Sequence, residues 1–314
     1  MDLHHRPVML AEVLEVLAPR LGGLYVDGTL GAGGHAASVL KASAPDGRLL
    51  GLDRDPRALE LAGRRLKKFS GRINLVQATF DNMEQELSAL GAGLADGVLL
   101  DLGLSSMQLD EDGRGFSFRR DEPLDMRMGA QGPSAADLVG TLDEAELAGL
   151  FKRLGEEPLA RRMARAVVKQ RQAQPIATTG RLAQVVEQAM PMAERRKRRL
   201  HPATKVFQAL RLAVNDELGM LERFLEQAPR LLNPGGRLAV LSYHSLEDRR
   251  VKRAVAAWAN PCTCPPDLPM CACGLKPLFK PLGKLGRPSQ EEVADNPRAR
   301  SARLRAAVRT EAAA

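Results

Sequence analysis

The sequence predicts an α/β fold, a doubly wound sheet interrupted by a helical insertion. Short apolar strands alternate with helix-forming segments over residues 24–102, which is typical of a parallel sheet covered on both faces. Residues 134–200 then show helical periodicity alone, and the alternation resumes after them. A glycine-rich turn after the first predicted strand indicates that the sheet binds a ligand at its carboxyl edge.

The elements of the first half follow one another closely. A short helix is predicted from Val8 to Leu17. Strands are predicted at 24–28, 48–53, 73–79 and 96–102. Helices are predicted at 34–43, 56–69 and 82–90. Asp55 can cap the second of these helices, and Pro56 suits its first turn.

The second half contains the predicted insertion. Residues 104–133 are rich in Gly, Asp, Arg and Ser and indicate an ordered loop. The elements expected after the loop are helices at 142–154, 157–171, 181–190 and 203–231, a strand at 237–242 and a helix at 245–259. We therefore expect a core domain formed by residues 1–110 and 201–314, and an inserted helical domain at residues 111–200.

The composition favours an anionic partner. The 314 residues include 46 Lys and Arg against 38 Asp and Glu, a formal net charge of +8. Nucleic acid is the first candidate for such a partner, and a compositional bias of the source proteome is the alternative. The sequence has neither a membrane-spanning apolar stretch nor the layout of a signal peptide, so we expect a cytoplasmic protein.

The turn after the first strand reads Asp27-Gly28-Thr29-Leu30-Gly31-Ala32-Gly33-Gly34-His35. Its spacing differs from the G-x-G-x-x-G fingerprint of dinucleotide-binding folds. An acid at the strand end disfavours phosphate and suits a positively charged cofactor, which favours S-adenosylmethionine (SAM) over NAD. The alternative is a tight glycine turn that binds no ligand.

Acidic or aromatic residues follow four predicted strands. Asp27, Asp53 and Asp101 each end a strand, and Phe80 follows the third. Because ligands of open α/β sheets bind outside the carboxyl ends of the strands, we expect these side chains to surround one site. Asp53 is placed to accept the ribose hydroxyls of an adenosine. Phe80 can stack on the adenine, with core packing as the equal alternative.

All four cysteines lie within one short segment, as Cys262, Cys264, Cys271 and Cys273. Four thiols so close together can hold one tetrahedral zinc ion. The common C-x2-C spacing is missing, so the alternative is a proline-rich loop whose thiols bind no metal.

The densest basic run is Arg195-Arg196-Lys197-Arg198-Arg199. It borders the predicted cleft, and we expect it to contact RNA phosphates, with a solvated helix face as the alternative. Arg298, Arg300, Arg303 and Arg305 form a second predicted basic patch.

Longer motifs then occur in an order typical of one enzyme family. They are the glycine turn 27–35, Asp101-Leu102-Gly103-Leu104-Ser105-Ser106-Met107-Gln108-Leu109-Asp110, Leu124-Asp125-Met126-Arg127-Met128, His201-Pro202-Ala203-Thr204, Ser242-Tyr243-His244-Ser245-Leu246-Glu247-Asp248-Arg249 and Asn296-Pro297-Arg298-Ala299-Arg300-Ser301. On these motifs, the chain resembles the RsmH (MraW) family of bacterial small-subunit ribosomal RNA methyltransferases over nearly its whole length. Met107 stands where the family often has proline, and Tyr243 where phenylalanine is usual.

The resemblance implies a Rossmann-like, class I SAM-dependent methyltransferase core with a separate substrate-recognition domain. It implies methylation of the exocyclic N4 of a cytidine in the decoding region of 16S ribosomal RNA, cytosine 1402 in conventional numbering, within an assembled or nearly assembled small subunit. Carried onto this sequence, the implied cofactor contacts are Gly33, Gly34, His35, Asp53, Phe80, Asp101 and Gln108.

The sequence leaves several candidates for the residue that accepts the proton of the amine. Many amino-methyltransferases use an Asn/Asp-Pro-Pro-aromatic motif, whereas this chain has Asp101-Leu102-Gly103-Leu104. Asp101, Ser105 and His244 are candidates by their expected place at strand ends, and His244 can equally be a packed structural histidine. Two other functions stay open: a methyltransferase for another RNA or DNA base, and a non-catalytic RNA-binding ribosome-assembly factor.

Overall fold

The chain folds into two compact units. The computed structural model describes residues 7–104, 112–129, 131–265, 272–283 and 286–313. The first unit, called the core unit, joins Met1–Gly103 with Leu218–Ala314, and the second, called the helical unit, is Leu104–Glu217.

The core unit is built on one seven-stranded sheet. Its strands are β1 Leu24–Asp27, β2 Arg48–Asp53, β3 Ile73–Gln77, β4 Ala95–Asp101, β5 Leu232–Ser242, β6 Phe279–Pro281 and β7 Arg303–Arg309. The strand order is β3-β2-β1-β4-β5-β7-β6. The first five strands are parallel, and β7 runs antiparallel to both β5 and β6. The strand order reverses between β1 and β4, which is the position where open α/β sheets bind ligands.

Helices cover both faces of this sheet. Their bounds are Leu10–Leu17, Gly34–Ala42, Pro56–Arg65, Met83–Ala89, Glu217–Leu231, Ser245–Ala259 and Gln290–Asp295. Successive residues of β4 point to opposite faces, so Val98 and Leu100 join a cluster with Phe224, whereas Leu99 joins one with Val13. Burial on both faces explains why the strands are apolar rather than alternating. The predicted doubly wound α/β fold is confirmed.

The helical unit has an apolar core of its own. Its helices are Ala135–Thr141, Glu144–Gly155, Ala160–Ala173, Thr179–Ala189, Met192–Lys197 and Thr204–Val214. Leu147, Phe151, Met163, Leu182 and Phe207 are buried together in it. The side chains of Ser134 and Asp143 form capping boxes that begin the first two helices.

The predicted helix at 203–231 is in fact two helices. It breaks at Asn215 and Asp216, and Asp216 has a left-handed φ of 48°. The Asn215 side chain donates to the carbonyl oxygen of Met126 at 2.8 Å, and its oxygen accepts from the N–H of Met128 at 2.9 Å. These bonds satisfy the amide of Asn215, which is buried.

The predicted boundaries 111–200 of the insertion are too narrow. The helix Thr204–Val214, which we assigned to the core domain, buries Val206, Phe207 and Leu210 in the apolar core of the helical unit. The unit therefore extends to Glu217.

Strands β6 and β7 were not predicted. In β7, Arg303 and Arg305 alternate with apolar residues, and their guanidinium groups bind the Asp248 carboxylate at 2.9 and 2.6 Å. These two residues of the predicted second basic patch are therefore strand residues with an internal partner. Among the described residues, no helix has the length and apolar character needed to cross a membrane.

Candidate active site

Three carboxylates stand at the carboxyl edge of the sheet, as predicted. Asp27, Asp53 and Asp101 are the last residues of β1, β2 and β4. The backbone N–H of Asp101 donates to the hydroxyl oxygen of Thr29 at 2.6 Å, and the N–H of Gly31 donates to Asp53 at 2.8 Å. The turn after β1 is thus bonded to the ends of both neighbouring strands.

The glycines of this turn are required by conformation and by close packing. Gly33 has a left-handed φ of 74°, and a Cβ atom there would lie 3.3 Å from side-chain atoms of Ala62 and Leu66. A Cβ atom on Gly34 would lie 2.6 Å from Cγ of Pro7. Both residues therefore shape the turn, and the helix Gly34–Ala42 begins directly after Gly33.

Asp53 is held in place by the backbone. One carboxylate oxygen accepts from Gly31, and the other accepts from the N–H of Asp55 at 2.9 Å. Burial raises the pKa of Asp53. Because a carboxylate oxygen has two lone pairs, each oxygen can still accept a hydrogen bond from a hydroxyl group of a ligand.

Asp27 is the most buried of the three acids. Its exposed fraction is 3%. Burial raises its pKa to about 7, while His35 and the N–H of Thr29 act in the opposite direction. Asp53 and Asp101 also raise this pKa by repulsion between like charges. A positively charged ligand near Asp27 would offset the free-energy cost of burying its negative charge.

His35 lies in the first turn of the helix Gly34–Ala42 and is buried. Its Nε2 atom is 3.6 Å from a carboxylate oxygen of Asp101. Among the described residues, neither ring nitrogen has a hydrogen-bond partner. Since buried polar atoms are nearly always satisfied, these nitrogens indicate a place for a ligand or a water molecule.

Tyr243 is a site residue that we did not predict. It follows β5, and its hydroxyl donates to Asp101 at 2.6 Å. Burial and the Asp101 charge raise the pKa of this phenol well above its usual value, so it stays a donor. A signal was available, because Tyr243 follows a strand end just as Phe80 does.

Phe80 and His244 both make structural contacts. Phe80 is buried, and its ring packs edge to face on Phe224 with centroids 6.0 Å apart. His244 precedes the helix Ser245–Ala259, and its Nδ1 accepts from the N–H of Glu247 at 3.4 Å. Its Nε2 is 3.0 Å from a carboxylate oxygen of Glu247. The Nδ1 atom of His244 therefore caps that helix, whereas its buried Nε2 makes no hydrogen bond to the described residues although it lies close to Glu247.

The basic run divides into engaged and exposed residues. Arg198 donates to both carboxylate oxygens of Glu157, at 2.6 and 2.7 Å, and Glu157 is fully buried. Arg195 lies 3.0 Å from the carboxylate of Glu187. Arg196, Lys197 and Arg199 are exposed, and Lys197 also forms a surface ion pair with Glu194 at 3.1 Å.

The cysteine cluster is partly described. The sulfurs of Cys262, Cys264 and Cys273 lie within 4.8 Å of one another. The predicted site residues Ser105, Gln108 and Cys271 lie outside the described residues.

The residues present fit SAM as a ligand. Acidic groups at the ends of β1, β2 and β4 suit its positively charged amine and sulfonium and its ribose hydroxyls, and the buried nitrogens of His35 have capacity to bind. The strand order and this carboxylate-lined turn define the α/β fold of SAM-dependent methyltransferases. A family model described as the MraW methylase family matches residues 2–310, and the chain belongs to this family.

Curated relatives match the chain over its whole length. A protein of Symbiobacterium thermophilum is 53% identical over 314 residues, covering 99% of this chain and 98% of its own. A protein of Geobacter sulfurreducens is 55% identical over 311 residues, covering 98% and 99%. Both are named ribosomal RNA small subunit methyltransferase H. Among solved structures, a SAM-dependent O-methyltransferase of Thermotoga maritima matches with a TM-score of 0.41 and 10% identity, covering 97% of this chain and 66% of its own.

Proposed function

We propose that this protein transfers the methyl group of SAM to the exocyclic N4 of a cytidine in small-subunit ribosomal RNA, at cytosine 1402. The observation that carries the proposal is the carboxylate-lined glycine turn in a chain of the MraW methylase family. The names of the relatives support ribosomal RNA as the substrate. The N4 position rests on the motif resemblance. Such a substrate places the enzyme in the cytoplasm.

The core unit supplies the residues that hold the cofactor. SAM, when bound, supplies an electrophilic methyl group on a sulfonium. Asp53 would accept the ribose hydroxyls, because the bonds from Gly31 and Asp55 already orient its carboxylate. Asp27 and Asp101 would face the positive part of the ligand, and His35 would contribute a ring nitrogen. Phe80 would contact the adenine, as the motif resemblance implies.

The amine places further demands on the site. The lone pair of the cytosine N4 is delocalised into the ring, which makes the amine a poor nucleophile. The reaction therefore depends on in-line positioning of the two reactants, which can lower the activation barrier by roughly 7–11 kcal/mol. N4 lies on the Watson–Crick edge, so the base must be unpaired or extruded. Among the described candidates, Asp101 fits best the role of binding the amine and accepting its proton, since the Tyr243 hydroxyl orients its carboxylate, whereas Nδ1 of His244 caps a helix.

The helical unit would bind RNA through its exposed cations. Arg196, Lys197 and Arg199 are exposed in and after the short helix Met192–Lys197. Phosphate contacts of this kind position an RNA without reading its sequence. Base choice would then depend on the geometry around the methyl donor.

Methylated cytidines in ribosomal RNA should be mapped in cells with and without the protein. We expect one N4-methyl signal in the decoding region to disappear without it and to return with the wild-type gene but not with Asp101→Ala. An unchanged signal would refute the assignment. Assays on purified small subunits and on naked 16S RNA would show whether the assembled particle is the substrate.

A non-catalytic RNA-binding assembly factor is the alternative from a different class. Calorimetry of SAM binding separates the two, with Asp53→Ala as the variant that should lose affinity. Absence of SAM binding by the wild-type protein would favour the assembly factor.

A further inference from the structure

Three cysteine sulfurs meet in the loop that follows the helix Ser245–Ala259. The Sγ atoms of Cys262, Cys264 and Cys273 all lie within 4.8 Å of one another. No disulfide joins these three described residues. The loop therefore gathers thiols that are separated by up to eleven positions in sequence without linking them covalently.

The distance between two of the sulfurs matches that between two ligands of a tetrahedral thiolate site. The Sγ atoms of Cys262 and Cys273 are 3.8 Å apart. Two thiolates bound tetrahedrally to zinc at about 2.3 Å lie about 3.8 Å from each other. A zinc ion can therefore contact both sulfurs with little movement of the loop.

A backbone donor points at the third sulfur. The N–H of Ala272 donates to Sγ of Cys264 at 3.3 Å. A hydrogen bond of this kind stabilises negative charge on sulfur, and the thiolate is the form that binds metals. This contact is independent of the distances between the sulfurs.

The described part of the loop has little apolar core to hold it. Thr263, Pro265 and Gly274 are exposed, and Leu275 is 51% exposed. The end of the loop is held by a hydrogen bond from the N–H of Leu278 to the carbonyl oxygen of Trp258, at 2.8 Å. A bound metal can stabilise a segment that buries too few side chains to be stable alone.

We propose that Cys262, Cys264 and Cys273 form a structural zinc site. Thiolates select zinc over hard cations such as magnesium and calcium. A water molecule or another side chain would occupy the fourth coordination position. The site is independent of the proposed methyl transfer, because none of the cofactor contacts lies in this loop.

Metal content is the first test. The full chain, purified without chelators from cells grown with added zinc, should contain one zinc ion per chain by elemental analysis. Replacement of zinc by cobalt should give the absorption bands of cobalt–thiolate bonds. A metal-free protein that also fails to bind cobalt, or cysteines recovered as disulfides, would overturn the proposal.

Single substitutions locate the ligands. Cys264→Ser and Cys273→Ser should each lose most of the zinc, whereas Thr263→Ala, an exposed neighbour, should keep it. A cysteine variant that retains stoichiometric zinc would contradict the site.

Two further measurements distinguish loss of the zinc site from misfolding of a variant. In the wild-type protein, a chelator should release the zinc and make the cysteines reactive toward an alkylating agent. Thiols that react equally before and after chelation would count against the site. SAM affinity should be retained by Cys264→Ser, so loss of zinc and failure of the proposed function are distinguishable.

Discussion

Asp27 is a buried carboxyl group with a pKa close to neutrality. Burial at the end of β1 raises that pKa to about 7, so the neutral and charged forms are both populated near physiological pH. A bound cation would favour the carboxylate, because opposite charges stabilise ionisation. The residue therefore responds to pH and to the charge of the ligand.

Asp27→Asn should change how stability depends on pH. The folded-state pKa is raised above the value of about 3.9 in the unfolded chain. The native state thus holds its proton more tightly, and stability from this group is lost as pH rises between those two values. We expect Asp27→Asn to be more stable than the wild type above pH 7, by roughly 4 kcal/mol at most, and similar to it below about pH 4.

Urea unfolding at several pH values measures this difference. Glu15→Gln, at an exposed carboxylate, serves as the control and should unfold like the wild type at each pH. A parallel profile for Asp27→Asn and the wild type would contradict the shifted pKa. SAM affinity of the wild type should also rise with pH through 7, and this rise should be smaller in Asp27→Asn.

Tyr243 orients Asp101 through one short hydrogen bond. Tyr243→Phe removes that donor and should lower SAM affinity several-fold, since hydrogen bonds to charged groups contribute about 1.5–3 kcal/mol and Asp101 is partly exposed. Calorimetry measures the affinity. The chain offers a matched control in Tyr25→Phe, which removes the hydroxyl that accepts from the N–H of Arg20. Equal losses of affinity in both variants would argue against a specific role for Tyr243.

Individual residues of the site were predictable to different degrees. Asp27, Asp53 and Asp101 followed from strand ends, because parallel strands bring such ends to one edge. His35 entered only through the motif resemblance, since a lone histidine at a helix start has no pattern of its own. The bond between Tyr243 and Asp101 joins positions 142 apart, and local periodicity carries no information on such contacts.

At the scale of elements, a buried ion pair fixes the segment after the helix Met192–Lys197. Arg198 binds Glu157, whose side chain is fully buried. Glu157 also accepts from the N–H of Leu159 at 2.9 Å, next to the start of the helix Ala160–Ala173. The pair thus connects the basic run to the core of the helical unit.

Arg198→Ala should destabilise the helical unit. Removing one partner leaves a buried charge without compensation, at a cost of about 3 kcal/mol. Chemical unfolding, or hydrogen exchange of residues 157–173, measures the loss. The neighbouring Arg196→Ala is the control and should unfold like the wild type because Arg196 is exposed. Arg198→Ala with unchanged stability would show that the pair is not needed.

Element boundaries were predictable where turn chemistry marked them. Asp55 and Pro56 begin the helix Pro56–Arg65 as expected, and the Asp55 side chain accepts from the N–H of Arg57. The break at Asn215 was missed because it depends on hydrogen bonds to Met126 and Met128, which are distant in sequence. Strand β7 was missed because its arginines look like a solvated basic patch until Asp248 is placed beside them.

At the scale of the whole molecule, the net charge of +8 favours RNA binding, and the exposed part of the basic run is one site where it can act. Arg196→Ala combined with Arg199→Ala should weaken RNA binding. On single strands, each lost phosphate contact should reduce the slope of log affinity against log salt by about 0.7. Binding of a decoding-region RNA fragment over a salt series measures this slope.

Lys152→Ala, an exposed cation on the helix Glu144–Gly155, is the control. A slope lowered equally by the control would mean that the charge effect is general. A slope unchanged in the double variant would remove the basic run from the RNA interface.

The position of β7 bears on synthesis of the protein. Residues 303–309 pair with β5 on one side and β6 on the other, so the position between these two strands stays unfilled while the preceding residues are made. The helical unit is continuous in sequence and can form earlier on the ribosome. Until β7 arrives, β5 exposes an unpaired edge that can pair with other chains. A nascent chain of this protein is therefore most vulnerable to aggregation in the interval between β5 and β7.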